Sequence, residues 1–492
     1  MRNIVFALGG VWEFERVLIG LTFAAGCFFH FLNIDSLPMG FYVDESSIGY
    51  NAYLIASTGA DEHGVHWPLF FEAFGEYKNP LYIYLLAALY KVLGYSEWTT
   101  RCLSALCWLG GSMCLYELMK TVSRDNNLRL YGAIALSFTP WVFALSRVSF
   151  EVIVLYPLLS LYLLAIYRGF ERTSRSWSAV AGMTIGLCLY AYSTLRLLTP
   201  LYCAAVIICY RATKFRRSIL PFILGAAVSA APYALYAVYH FDTLVRRFDR
   251  HFGSLTYIND PTLSIFEKLN DFVTLYVGYL GLPFLGLTGD PNRRHHAGFC
   301  GELLLATLLL LALSTWKTLM RRDDLFRTYL LIGLLLSPVA AALTVDPHHS
   351  LRAFSMSVFA ILLSAYGLED LPRVIARFLV GFSALCACFY VFYYFIVYPP
   401  QSAIAFENYG FRSALQEALA DTPKRVVLSS EGNVPYINLL FFGSLEHAHI
   451  PLVVGTRSDS RPGDVFIAYD PSQGPYDLYH VDRAPTDTGL SQ

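Results

Sequence analysis

Eleven apolar runs, each close to the length that crosses a bilayer, leave this chain few ways to fold. About 30 Å of hydrocarbon takes roughly 17–25 helical residues at 1.5 Å each. Such runs occupy about 16–34, 98–120, 129–147, 150–169, 177–195, 197–212, 218–240, 301–318, 326–345, 351–371 and 375–398. Of the 492 residues, 55% are hydrophobic and only 15% charged, more apolar surface than a soluble domain can bury. The expected fold class is an all-α polytopic membrane protein of about 11 transmembrane helices. The first run lacks a small-residue cleavage site, so it reads as a retained helix. A formal net charge of −1 argues against a nucleic-acid partner. The cysteines lie mostly within apolar runs, with neither a disulfide framework nor metal-type spacing.

The run 80–94 opens with Pro80, carries Lys91 and reaches only about 22 Å as a helix, so it reads as in-plane or re-entrant. Excluding it aligns the positive charge of the short loops. Lys120/Arg124/Arg129, Arg168/Arg172/Arg175, Arg211/Lys214/Arg216/Arg217, Lys317/Arg321/Arg322/Arg327 and Arg373/Arg377 then share the cytoplasm with the N-terminus. The opposite face collects the 35–97 loop, the 147–151 junction, the 241–300 loop and the tail. From 399 to 492 the tail reads as a small extracytoplasmic α/β domain. It shows a helix near 408–420 and strands near 425–429, 436–442, 451–454 and 464–469, with a disordered end. The localisation this implies is the cytoplasmic membrane. No internal repeat of the transporter kind is visible.

Chemistry concentrates on that outer face. Asp44 and Glu45 open a helix expected over Ser46 to Ser57. An acid there can simply cap the helix. Beside membrane-level aromatic sequence, however, a carboxylate is costly to keep and reads as chemistry. One carboxylate can serve as general base, and a neighbour can orient it or hold a divalent cation. Lys78 is either a snorkelling ammonium or the cation that meets a phosphate leaving group. Arg147 and Glu151 stand one helical turn apart, a local ion pair or a second phosphate contact and second acid. Arg196 and Arg352, at other outer helix ends, are interfacial anchors or further phosphate contacts. Arg293-Arg294-His295-His296 could bind an anion. His295 and His296 make poor metal ligands, because adjacent side chains diverge and no carboxylate is spaced to help. Asp61-Glu62-His63 reads as a solvated turn. With no glycine loop for phosphate, a nucleotide sugar is not the expected donor.

The ordered series Asp44-Glu45-Ser46-Ser47-Ile48-Gly49-Tyr50, Tyr77-Lys78-Asn79-Pro80-Leu81-Tyr82, Arg101-Cys102-Leu103-Ser104-Ala105 and Ser146-Arg147 resembles the C-type (GT-C) membrane glycosyltransferases. The closest branch holds the protein O-mannosyltransferases and the lipid A aminoarabinose transferases. The resemblance implies a polyprenyl-phosphate-linked sugar as donor and inverting transfer on the outer face. It puts the catalytic aspartate at Asp44, the donor-phosphate lysine at Lys78 and a second acid at Glu151, where many relatives carry aspartate. The expectation is therefore a glycosyltransferase with Asp44, Glu45 and Glu151 as catalytic acids and Lys78, Arg147, Arg352 and Arg196 as phosphate contacts. Glu45 and Glu151 would hold any metal. The acceptor would be a lipid, glycan or protein. The alternative is a transporter or lipid flippase whose charges line a translocation path, which would place them nearer the bilayer midplane.

Overall fold

A computed structural model describes residues 2–123, 125–211, 216–241, 243–244, 256–320, 324–369, 371–431, 435–470 and 479–483. The body is mostly helical. In chain order it runs α1 (Arg2–Phe31), α2 (Val43–Thr58), the hairpin β1 (Phe71–Ala73) and β2 (Glu76–Lys78), α3 (Pro80–Leu93), α4 (Glu97–Val122), α5 (Asn126–Phe138) and α6 (Pro140–Leu145). It continues through α7 (Leu155–Ile166), α8 (Arg175–Leu187), α9 (Leu195–Tyr210), α10 (Arg216–Tyr239), α11 (Ile265–Leu280), α12 (Leu305–Met320), α13 (Leu325–Leu336), α14 (Ser355–Ala365) and α15 (Arg373–Phe392).

Among the described residues, five helical stretches are long and apolar enough to cross a bilayer: Glu97–Val122, Glu151–Glu171, Arg217–Tyr239, Leu325–Ala342 and Arg373–Val397. Other expected spans are shorter or broken. The run 129–147 divides at Thr139, where Pro140 offers no amide to the preceding turn and opens a new helix instead. The run 351–371 is likewise interrupted, at Phe354. Leu220, Val228 and Val238 on α10 are all more than 60% exposed, as expected of a helix whose outer surface meets lipid. Its inner surface packs on α8 through small residues. A Cβ on Gly182 would strike the Phe222 carbonyl, and one on Gly225 the Ala179 carbonyl, so the two backbones approach as only glycine allows.

The run 80–94 forms α3, fourteen residues begun by Pro80 at its first position and ended at Gly94. It packs beside α2 and turns directly into α4, which Ser96 caps by accepting from the Thr99 amide. The 241–300 segment is not a simple loop. It contains α11, started by a Ser264/Glu267 capping box, with only Tyr279 buried among its residues.

Beyond α15 come α16 (Pro399–Phe406), α17 (Phe411–Ala420), β3 (Val426–Ser429), α18 (Pro435–Leu445), β4 (Leu452–Gly455), β5 (Val465–Tyr469) and β6 (Tyr479–Arg483). The strands pair in the order β4-β3-β5-β6, the first three parallel and the last antiparallel. The strand expected at 436–442 is instead the middle of helix α18. The expected disordered end, 484–492, lies outside the described residues. A second hydrophobic core joins Phe411, Leu415, Val426, Phe441, Phe442 and Ile467 to Phe41 from the segment before α2. The tail is thus stitched to the start of the chain.

Candidate active site

Two turns of backbone bring the chemistry together. Tyr42 is the extended residue at the head of α2, placing Asp44 and Glu45 in its first turn. The hairpin β1–β2 reverses through Phe74 and Gly75, both at positive φ (56° and 75°). That reversal delivers Lys78 to Asp44. Lys78 Nζ lies 2.6 Å from Asp44 Oδ1, with the lysine side chain 13% exposed and the aspartate 38%. The ammonium also lies 5.2 Å from the centre of the Phe74 ring.

The next residue, Asn79, reaches across to the third acid. Glu151 accepts from the Asn79 amide at 2.7 Å and from its Nδ2 at 2.8 Å. Asp44, Lys78 and Glu151 all line one cleft, together with Phe74, Glu76, Tyr77, Phe150, Tyr192 and Leu351, around about 560 Å³ of empty space. Its wall is mixed: three carboxylates and an ammonium set among aromatic rings.

Other predicted residues stand apart from this cleft. Glu45 is fully buried, and Arg101 grips it with Nε and Nη2, each at 2.9 Å. The Tyr42 and Ser149 amides donate to the same carboxylate at 3.1 and 3.0 Å. Four donors leave it no opening to a substrate or a shared metal, so Glu45 ties elements together. The capping role weighed for this acid pair falls to it. Arg147 is fully buried too. Its guanidinium donates to the carbonyls of Phe29, His30, Leu32 and Leu37, at the C-terminal end of α1 and just beyond. A guanidinium so placed does not face the cleft, nor does it pair with Glu151.

Arg196 donates to Asn79 Oδ1 at 3.1 Å and to the Leu244 carbonyl at 2.6 Å, behind the asparagine that holds Glu151. Arg352 pairs with Asp346 at 2.8 Å and with the Thr344 hydroxyl. Arg294 lies 4.1 Å from the Tyr42 ring centre and pairs with Glu407. Burial still pushes the Tyr42 phenol up, against the pull of that arginine. Asp61-Glu62-His63 is a turn, with Asp61 accepting from the His63 and Val65 amides, but Asp61 is buried rather than solvated. Burial also raises the Glu62 carboxyl, whose Oε1 accepts from Asn51.

Sequence reasoning gave no role to Asn79 or Arg101. Arg101 holds the entry to α2 by donating to the carbonyls of Ile34, Pro38 and Gly40. A buried arginine inside an apolar helix was the available signal, since such a charge persists only when paired.

Residues 77–236 match the family model described as dolichyl-phosphate-mannose-protein mannosyltransferase. No curated protein matches the sequence. Solved structures similar in fold include the following three. ArnT from Cupriavidus metallidurans bound to undecaprenyl phosphate aligns at 13% identity and a TM-score of 0.60, over 91% of this chain and 93% of that one. The same protein in the apo state aligns at 12% identity and 0.58, over 89% and 86%. The archaeal oligosaccharyltransferase AglB from Archaeoglobus fulgidus, in complex with an inhibitory peptide and a dolichol-phosphate, aligns at 13% and 0.50, over 88% and 64%. The resemblance read from the sequence thus extends to the whole fold, and this multi-pass membrane protein has the architecture of the C-type membrane glycosyltransferases.

Proposed function

We propose that this chain transfers a sugar from a polyprenyl-phosphate-linked donor to an acceptor hydroxyl or amine, on the outer face of the cytoplasmic membrane. The observation that carries the reading is the Asp44–Lys78 contact within a cleft that Glu151 also lines. Asp44 takes the acceptor proton as the acceptor attacks the anomeric carbon. The new bond forms opposite the breaking carbon–oxygen bond, whose electron pair leaves with the phosphate, and the configuration inverts. Lys78 meets the charge that gathers on that phosphate. A donor phosphate competes with Asp44 for the ammonium, so donor binding itself releases the carboxylate to act as base. Glu151, through Asn79, fixes the residue next to Lys78 and acts as a positioning acid. The undecaprenyl phosphate bound to ArnT and the dolichol-phosphate bound to AglB support the donor class, and the acceptor is a lipid, glycan or protein.

A transporter or flippase would carry its ionisable groups near the middle of the bilayer. Here Asp44 and Lys78 sit at a helix start and a hairpin end. The test compares the lipids, glycans and proteins of the cell surface by mass spectrometry, with wild type, Asp44→Asn or no copy of the chain. A general base contributes about 10²–10⁴-fold, so Asp44→Asn should lose that much transfer while the protein still folds. Near wild-type transfer by Asp44→Asn overturns the assignment. Lys78→Ala should chiefly raise the KM for the donor.

A further inference from the structure

Behind the cleft wall, three residues from two separate segments converge. Ligand atoms of Asp290, His295 and His349 all lie within 4.8 Å of one another. We propose that they bind a single divalent transition-metal ion, zinc by the nature of the donors, at a site distinct from Asp44, Glu45 and Glu151.

Charge is the first argument. Asp290 is 2% exposed, and Glu302, fully buried, accepts from the Asp290 amide at 3.0 Å. Two carboxyl groups therefore share one dry pocket. Among the described residues neither is paired with a lysine or arginine: the nearby Arg352 is taken by Asp346 and Arg294 by Glu407. The basic side chain that meets the Asp290 carboxylate is the His295 imidazole. A buried negative group demands a cation, and an imidazole hydrogen bond satisfies that demand less fully than a metal does.

Geometry is the second. His295 Nδ1 lies 2.9 Å from Asp290 Oδ2, and the same oxygen accepts from the Ser350 amide at 2.7 Å. Asp290 Oδ1 accepts from the Asn292 amide at 2.7 Å. The carboxylate is held in place by backbone donors and in turn orients one imidazole, the support that metal-binding histidines commonly have. The rings of His295 and His349 stand 4.7 Å apart at 33°. Two ligands on one tetrahedral zinc, each bonded at about 2.0–2.2 Å, sit about 3.4 Å from each other, so small side-chain rotations close the site. Two imidazoles and one carboxylate suit zinc and its neighbours, whereas magnesium and calcium prefer oxygen alone. His349 is half-buried beside two buried partners and gives the ion its way in.

Contrary to the expectation from sequence that no carboxylate is spaced to help His295, Asp290, five residues earlier, meets its ring. The divergence of adjacent histidines holds, for His296 turns its Nε2 to the Gly301 carbonyl. The ion would link the 290–302 segment to the turn before α14. Both border the cleft, for the His295 ring meets Phe150 edge-on at 5.9 Å and Leu351 follows Ser350.

Full-length protein in detergent, stripped with chelator and dialysed against Zn²⁺, should retain about one zinc per chain by plasma mass spectrometry. Co²⁺ in its place should give the visible absorption of a nitrogen- and oxygen-ligated ion. His349→Ala, a change at a half-buried position, should weaken binding at least 10-fold, and Asp290→Asn should do the same. Stripped wild-type protein that takes up no stoichiometric zinc or cobalt overturns the proposal, as does unchanged binding by His349→Ala. Neither measurement uses a sugar donor, so the result stands whatever becomes of the glycosyltransferase reading.

Discussion

Neighbouring acids in the first turn of α2 meet opposite fates because successive residues on a helix point about 100° apart. Asp44 turns to the cleft, where its contact with Lys78 is partly open to water. Glu45 turns inward to a fully buried Arg101. Removing one member of a buried pair strands the other, at about 3–5 kcal/mol, whereas an exposed pair is worth about 1 kcal/mol or less. Glu45→Ala should therefore lower the unfolding free energy by several kcal/mol and Asp44→Asn by less than about 1. Thermal and denaturant unfolding in detergent would measure both, and equal losses would contradict the division. The sequence made the pair, Lys78 and Glu151 visible, because charge is conspicuous in so apolar a chain. Which acid faced water was not legible, for the partners of Glu45 lie as far away as Arg101 and Ser149. The same holds for Arg147, whose carbonyl partners sit more than a hundred positions earlier.

Helix α18 is the element that holds the site from outside the bundle. Its Asn438 accepts from the Ser46 hydroxyl at 2.6 Å, and Tyr95 donates to the Phe441 carbonyl. Tyr436 on the same helix meets Phe74, the ring beneath Lys78. One helix thereby touches both α2, which carries Asp44, and the hairpin that carries Lys78. The segment 436–442 read as a strand because a short apolar run does not reveal its period. Ile437, Asn438, Leu439, Phe441 and Phe442 are all buried, so no polar face marks a helix. Close packing at Gly49 makes the contact testable. A Cβ there would meet the Phe441 ring, so Gly49→Ala must displace α18 from α2. Transfer should fall, with a stability loss of about 1–3 kcal/mol from overpacking. Adding Phe441→Leu should restore much of both, with a coupling energy of about 0.5–3 kcal/mol in a double-mutant cycle. Strict additivity would mean that the helix does not position the catalytic turn.

At the scale of the whole molecule, the decisive matter is which groups share an end of the bundle. Glu151 and Glu171 bound one continuous helical stretch of 21 residues, so about 30 Å separates them, the thickness of the hydrocarbon layer. Glu151 lines the cleft, and the far end belongs to the basic groups. Arg168 reaches Glu117, which also pairs with Lys120 near the end of α4. Glu97, at the other end of α4, binds Arg412 of the tail. The cleft and the tail therefore lie at one end, and Lys120 and Arg168 at the other. Charge bias in the short loops assigns that second end to the cytoplasm, an orientation we propose. Val65 is 52% exposed in the first loop, and Arg172 is exposed just past Glu171. In a cysteine-free background, Val65→Cys should react with a membrane-impermeant maleimide on intact cells, and Arg172→Cys only after the membrane is opened. Labelling of both from outside would mean that the stretch 151–171 does not cross. The inverse pattern would turn the cleft toward the cytoplasm, where an outward-facing lipid-linked donor could not reach Lys78.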